Sequence, residues 1–239
     1  MIWEQDIRLI VSLTAEVERG QVKCHPYWES GSYGPFQIHN FAQKYIYMDD
    51  PGLEQVDRPK TPVADSNEGS ENSCIIMRHF SLSHTAHPFQ PLREVTQLQY
   101  PYWPDFGTTS QPTHLLKLIA QCDKVRNATA NRSRPMVAQP ILVHCSAGCG
   151  RTGSFCTVDS VLGMLKHPLE GTAHRKHVAT DAPAHELWTH NENLDLIAKA
   201  VADFRTQRPS MVQNLSQFVL CYESVLEWSV SNLASGGSI

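Results

Sequence analysis

The sequence predicts an α/β domain, because strand-like and helix-like patterns occupy different parts of the chain. Short apolar or β-rich runs lie in the first half, at 7–13, 36–48, 74–83 and 93–102. Stripes of apolar residues at helical spacing lie in the second half, around 115–122, 194–204 and 215–226. Between these stripes, the apolar run 141–143 leads through a glycine-rich loop into a further helical pattern. Such a mixture is typical of a sheet that is covered by helices.

Local composition gives the reason for each element. The run 7–13 is compact and apolar, which predicts a buried strand, whereas 16–20 predicts a short turn or helix. The last helical stripe is expected to face the core with Leu215, Phe218, Tyr222, Val225 and Leu226. Polar stretches rich in Pro, Gly, Ser or Asn predict exposed loops at 49–72, 126–140 and 166–190.

Length and composition restrict the class of protein further. With 239 residues, 41% of them apolar, the chain predicts a single domain over 1–239. The formal net charge of -4 leaves no broad basic surface, so we expect no nucleic acid among its partners. No apolar run approaches ~20 residues, so no membrane span is expected. Seven cysteines without a framework spacing favour a reducing compartment, the cytoplasm or the nucleus.

The most informative segment is 143–153, where a cysteine, five small residues and an arginine join the predicted strand to the predicted helix. The first N–H groups of a helix lack partners, so this position favours an anion. Gly148 and Gly150 let the loop curl into an anion-binding nest, whose field would lower the pKa of Cys145. A thiolate beneath a bound phosphate is a phosphoryl-accepting nucleophile. The alternatives are a buried cysteine beside a glycine-rich turn, or a zinc site, for which the cysteine and histidine spacing is wrong.

The run from His144 to Gly153 resembles the signature loop of the protein tyrosine phosphatases of the cysteine-based, non-receptor type. The resemblance implies a phosphotyrosine phosphatase II-like fold, a highly twisted mixed β-sheet flanked by helices. It implies hydrolysis of phosphotyrosine in protein substrates through a cysteinyl-phosphate intermediate, in signal transduction, with no metal or organic cofactor. The implied catalytic residues here are Cys145, Arg151, Thr152 and His144. The implied phosphate-binding loop consists of Ser146, Ala147, Gly148, Cys149, Gly150 and Arg151.

A second motif, Tyr102-Trp103-Pro104-Asp105-Phe106-Gly107, resembles the mobile acid loop of the same family. A phenolate leaving group needs a proton, and by this match Asp105 would supply it. Trp103 and Pro104 would anchor a lid that closes over the substrate, and Phe106 would contact the substrate. Asp105 lies upstream of the cysteine, whereas small low-molecular-weight phosphatases carry their acid downstream of it.

A third motif, 213–218, resembles the glutamine loop of the family. By this match Gln213 would place the water that hydrolyses the cysteinyl-phosphate, and Gln217 would be its partner in substrate binding. Spacing alone would equally fit a solvated helix face. Arg205 and Arg208 precede the motif, as basic residues do in the family, or they are simple surface charges.

Further matches lie near the start of the chain, where 1–5 resembles a conserved helix-end segment of the family. Glu18 would hold Arg151 in place and Lys23 would reach towards the acid loop; the alternative is a charged, exposed turn. The resemblance begins in the middle of the family's domain. We therefore expect the domain to be truncated at its N-terminal side, without the loop that clamps phosphotyrosine.

Other functions stay open at this point. A phosphatase-like fragment could bind phosphoproteins without turnover, as a binding module. A dual-specificity or lipid phosphatase would share the chemistry, although the glutamine loop argues against it. Five histidines between 167 and 190 raise the question of a metal site, but they lack a compact ligand pair with a carboxylate partner, so no metal is predicted.

Overall fold

The computed structural model describes residues 1–48, 54–55, 73–103, 112–130, 140–166 and 193–234. The strands in these ranges are β1 Leu9–Ser12, β2 Val17–Glu18, β3 Gln21–Val22, β4 Gly31–Tyr33, β5 Phe36–Tyr47, β6 Glu54–Gln55, β7 Cys74–His84, β8 Arg93–Gln99 and β9 Ile141–His144. The helices are α1 Pro112–Ala130, α2 Gly150–Lys166, α3 Leu196–Gln207 and α4 Leu215–Ala234.

One mixed sheet organises the fold, with the strand order β4-β5-β7-β8-β1-β9 and with β6 paired to β5. Strand β1 runs parallel to both of its neighbours, β8 and β9, whereas β4, β5, β7 and β8 pair in antiparallel fashion. All four residues of β1 are buried, as expected for a strand covered on both faces. The predicted mixed sheet flanked by helices is therefore confirmed.

Packing on the two faces of the sheet follows from the alternation of side chains along β1. Leu9 and Val11 join a large core with Leu98 of β8 and buried residues of all four helices, among them Leu118, Phe155, Ile197 and Leu220. Ile10 points to the opposite face and joins a smaller cluster with Ile7, Trp28, Phe80 and Val95. The larger core fixes β9 and α2 relative to each other, and the loop that connects them carries the cysteine.

Most of the strand predictions hold, the turn predicted within 16–20 is present, and one loop prediction needs correction. The runs at 36–48 and 93–102 contain β5 and β8, and β7 covers the run at 74–83 and ends one residue later, at His84. Segment 16–20 contains β2 and the turn of a hairpin, because Arg19 and Gly20 both have positive φ angles, 50° and 75°, the conformation that closes a two-residue hairpin. The loop prediction at 126–140 is wrong for its first five residues, because α1 continues to Ala130.

The remaining loop predictions fall mostly on residues outside the described ranges. Glu54–Gln55, within the predicted loop 49–72, forms β6 against β5. Lys166, the first residue of the predicted loop 166–190, is the last residue of α2. The histidines between 167 and 190 lie outside the described residues.

The stripe predicted for the last helix is only partly correct. Leu215 and Leu226 are 75% and 65% exposed, while α4 buries Gln217, Leu220, Cys221 and Ser224. Apolar residues occur around most of this helix, so their periodicity does not by itself select the face that packs on the core. Across the described ranges, the helices lack the combination of length and apolar character needed to cross a membrane.

Candidate active site

The loop after β9 lies at the carboxyl edge of the parallel strands and begins helix α2. Strand β9 ends at His144, and α2 begins at Gly150, so residues 145–149 lie at the positive end of the helix dipole. Gly148 has a φ of 68°, a conformation that favours glycine. Ser146 and Ala147 are exposed while Cys145 is buried, so the rim of the loop is open to solvent and its cysteine lies at the floor.

Cys145 is surrounded by hydrogen-bond donors. Its sulfur accepts the backbone N–H of Gly148 at 3.2 Å and the hydroxyl of Thr152 at 3.2 Å. Burial alone would raise the pKa of the Cys145 thiol, but bonds from the Thr152 hydroxyl and from the backbone N–H groups of Thr152, Cys149 and Gly148 outweigh it and lower that pKa. The surroundings therefore favour the thiolate, which is the nucleophilic form of cysteine.

Arg151 is held from two sides at the base of the loop. It is 1% exposed, and its Nη1 donates to Glu18 Oε1 at 2.5 Å and to the carbonyl of Trp103 at 2.8 Å. Glu18 also accepts the Thr14 hydroxyl at 2.8 Å. The contact between Glu18 and Arg151 that the sequence analysis expected is present, and the β2–β3 hairpin supplies it.

Trp103 connects the cysteine loop with the start of the predicted acid loop. Its side chain is fully buried, and its carbonyl accepts the bond from Arg151. Pro104, Asp105 and Phe106 lie outside the described residues. Lys23 Nζ donates to Gln21 Oε1 at 3.3 Å, and the predicted approach of Lys23 to the acid loop concerns those same undescribed residues.

The two glutamines lie against the cysteine loop. A Cβ added at Gly150 would come within 2.7 Å of Gln213 Oε1 and 2.6 Å of Gln217 Nε2, so any side chain at position 150 would displace these two amide groups. Gln217 Oε1 accepts the backbone N–H of Gln213 at 2.8 Å, and Asn214 caps α4 by accepting the N–H of Gln217 at 2.9 Å. Gln217 is 2% exposed, which excludes the alternative of a solvated helix face for this residue.

Arg205 and Arg208 both bind backbone, so they are more than the surface charges that sequence reasoning left as an alternative. Arg208 donates to the carbonyl of Ala147 at 2.8 Å and to the sulfur of Cys149 at 3.3 Å. Arg205 donates to the carbonyls of Met211 at 2.9 Å and Val212 at 2.6 Å. The only feature of the sequence that could have indicated these contacts is the position of both arginines just before the glutamine motif.

Sequence reasoning missed one residue that contacts the loop. The hydroxyl of Tyr27 lies 2.8 Å from His144 Nε2, while His144 Nδ1 lies 3.2 Å from the carbonyl of Cys145. Burial lowers the pKa of His144, partly opposed by the contact with the Cys145 carbonyl. Tyr27 is distant in sequence, and no spacing rule would have paired it with His144.

A cysteine with a lowered pKa and a buried arginine on one strand–loop–helix unit are the groups that cysteine-dependent phosphoryl transfer requires. The comparison with known families agrees with this class, because residues 1–227 match the protein-tyrosine phosphatase family. The chain belongs to the protein-tyrosine phosphatase family.

Curated relatives come from several eukaryotes. Tyrosine-protein phosphatase 3 of Saccharomyces cerevisiae is 28% identical, with 94% of this chain and 28% of that protein covered. Tyrosine-protein phosphatase non-receptor type 4 of Mus musculus is 29% identical, with 95% of this chain and 18% of that protein covered. The corresponding values for tyrosine-protein phosphatase 2 of Dictyostelium discoideum are 29%, 95% and 47%. The chain thus spans less than half of the length of these relatives.

Solved structures of the family share the fold. The catalytic domain of human protein tyrosine phosphatase non-receptor type 18 (PTPN18) superposes with a TM-score of 0.63 at 26% identity. That comparison covers 95% of this chain and 62% of the solved chain. A related structure, PTPN18 in complex with HER2 phosphopeptides, has a TM-score of 0.65 at 25% identity, with 95% and 59% covered.

Proposed function

We propose that this chain hydrolyses phosphotyrosine in proteins through a cysteinyl-phosphate intermediate. The observation that carries the proposal is the surroundings of Cys145. Its buried sulfur accepts two hydrogen bonds at 3.2 Å, and donors of the loop and of the first turn of α2 lower its pKa. A thiolate in this position is a nucleophile with an anion site directly above it.

The phosphate dianion would bind the backbone N–H groups of residues 146–151, with Arg151 binding its equatorial oxygens. The sulfur of Cys145 attacks phosphorus as the bond from phosphorus to the tyrosine oxygen breaks. Asp105, assigned by its motif, gives its proton to that oxygen. The preorganised donors stabilise the charge that develops in the transition state.

The second step regenerates the enzyme. Gln213 would hold a water molecule next to the phosphorus of the cysteinyl-phosphate. Asp105, now a carboxylate, takes a proton from that water. The oxygen of the water bonds to phosphorus as the bond from sulfur to phosphorus breaks. The hydroxyl of Thr152, already 3.2 Å from the sulfur, stabilises the departing thiolate. Each atom transferred in these two steps comes from the substrate, the protein or water, so the reaction needs no further reactant.

Phosphotyrosine-containing signalling proteins are the proposed substrates. PTPN18, a solved relative, forms complexes with HER2 phosphopeptides, which supports a peptide substrate here. The cytoplasm or the nucleus is the proposed location, because all seven cysteines are free thiols and a catalytic thiolate has to stay reduced.

The test is turnover of a small aryl phosphate and of a phosphotyrosine peptide by the 239-residue chain, with Cys145→Ser as the control. We expect turnover by the wild type alone, and substrate trapping without turnover by Asp105→Ala. A folded wild-type chain that binds phosphopeptides without turnover would instead support a binding module. Equal rates on phosphotyrosine and phosphoserine peptides would contradict the proposed selectivity.

A further inference from the structure

Val212, the residue before Gln213, has an unusual backbone conformation. Its φ is 57°, in the left-handed region that side chains branched at Cβ strongly disfavour. The side chain is 1% exposed, so it cannot relax into solvent. Strained residues of this kind persist only where surrounding contacts hold them, and they concentrate at functional sites.

Arg205 supplies the contact that holds this conformation. Its Nε donates to the carbonyl of Met211 at 2.9 Å and its Nη2 donates to the carbonyl of Val212 at 2.6 Å. One planar guanidinium therefore binds two successive carbonyls, which fixes the two peptide units on either side of the Val212 Cα. A lysine ammonium is a single point of charge and cannot impose the same orientation.

The cysteine loop holds Val212 from the other side. The backbone N–H of Val212 donates to the carbonyl of Cys149 at 3.3 Å. A Cβ added at Gly153 would lie only 2.3 Å from the nitrogen of Val212. Val212 is therefore pressed between α2 and Arg205, and the direction in which Gln213 leaves this segment depends on both.

We propose that Arg205 is a positioning residue for the second step, hydrolysis of the cysteinyl-phosphate. It holds Val212 in the left-handed conformation, and this aims Gln213 at Gly150 of the cysteine loop. The proposal rests on the proposed function, which assigns the water of this step to Gln213. Arg208 offers a contrast on the same element, because it binds the cysteine loop itself through the carbonyl of Ala147.

Steady-state and burst kinetics on an aryl phosphate test the proposal. In Arg205→Gln we expect kcat to fall on the order of tenfold to a hundredfold, as for a displaced catalytic group, while kcat/KM stays within about twofold. A burst of the phenol close to one equivalent per enzyme should appear, because the cysteinyl-phosphate accumulates. A parallel fall of kcat and kcat/KM without a burst would overturn the proposal, and so would full rescue by Arg205→Lys.

Two substitutions at position 212 test whether Arg205 acts by holding Val212 in its strained conformation. Val212→Gly removes the whole cost of the positive φ, whereas Val212→Ala also removes the branched side chain but keeps the part of that cost that any Cβ carries. The effect of Arg205→Gln on kcat should shrink in the glycine background and persist in the alanine background. An effect of equal size in both backgrounds would refute the role of strain.

Hydrogen exchange separates this proposal from the proposed function. Backbone amides of residues 210–217 should exchange faster in Arg205→Gln than in the wild type, with or without turnover. Unchanged exchange would overturn the anchoring role of Arg205 even in an active enzyme. A wild type that never releases the phenol would overturn the proposed function instead, and the assigned second step with it.

Discussion

Replacing Glu18 by alanine should destabilise the fold strongly, because this carboxylate is the counter-charge of a guanidinium that is 1% exposed. Two donors depend on Glu18: Arg151 Nη1 at 2.5 Å and the hydroxyl of Thr14 at 2.8 Å. Removing one partner of a buried ion pair leaves the other charge without compensation and costs about 3–5 kcal/mol. The bond from Arg151 to the carbonyl of Trp103 persists in this variant, but a carbonyl oxygen does not replace a full negative charge.

Glutamine at position 18 separates charge from hydrogen bonding. Its amide oxygen can still accept from Arg151 and Thr14, so only the charge-assisted part of each bond is lost. Bonds to charged groups contribute about 1.5–3 kcal/mol and neutral ones about 0.5–1.5 kcal/mol. The expected loss for Glu18→Gln is therefore about 1–2 kcal/mol, well below that for Glu18→Ala.

Urea unfolding followed by circular dichroism measures both losses as changes in the free energy of unfolding. Glu16→Ala is the matched control, because Glu16 belongs to the same segment and its side chain is exposed; its expected change is within about 0.5 kcal/mol. The reasoning is refuted if Glu18→Ala is as stable as this control, since the Glu18 carboxylate would then not compensate the buried charge of Arg151 in solution.

Three further predictions follow from the site. Thr152→Val should raise the pKa of Cys145, so that alkylation of this thiol by iodoacetamide requires higher pH. Thr152→Ser should keep the hydroxyl donor and therefore the wild-type dependence of alkylation on pH. An identical pH dependence in all three proteins would contradict the argument. Gly153→Ala should lower the free energy of unfolding by about 1–3 kcal/mol through overpacking, because its Cβ would lie 2.3 Å from the nitrogen of Val212; urea unfolding within error of the wild type would show that this close approach is absent. Burial lowers the pKa of His144, so the unfolded chain binds its proton first as the pH falls below about 6.5, and stability should decline by at most about 1.4 kcal/mol per pH unit in that window. Urea unfolding of His144→Gln at a series of pH values should show a smaller change of the free energy of unfolding with pH. An unchanged slope would show that the proton binds to another group.

The cysteine loop could be predicted because its chemistry is local. Strand, loop and helix are adjacent in the chain, and the spacing from Cys145 to Arg151 is set by one turn of backbone. The contact from Glu18 to Arg151 was predicted through the family resemblance, since the sequence contains no signal that joins residues so far apart. The hairpin of β2 and β3 makes that contact possible, and strands of two residues leave no periodic pattern to detect.

The parts that could not be predicted depend on tertiary packing. Helix α4 carries apolar residues on several faces, and its packing against α1 and α2 determines that Leu220 is buried while Leu226 is exposed. The hydroxyl of Tyr27 reaches His144 because β1 pairs with both β8 and β9. Arg205 resembles any exposed arginine in the sequence. Its role depends on the positive φ of Val212, and a positive φ would not be expected for a valine.

The cysteines of this chain separate the effect of burial from the effect of hydrogen-bond donors. Burial raises the pKa of Cys156 and of Cys221 to about 12. Cys145 is buried as well, yet its pKa is lowered. Cys156 lies inside α2, where backbone N–H groups already bind carbonyls of the preceding turn, and Cys221 donates its own S–H to the carbonyl of Gln217 at 3.2 Å. Only the start of a helix has N–H groups without partners, so it is the donation of such groups and of the Thr152 hydroxyl to the Cys145 sulfur, rather than the exposure of this thiol, that lowers its pKa and suits it to be a nucleophile.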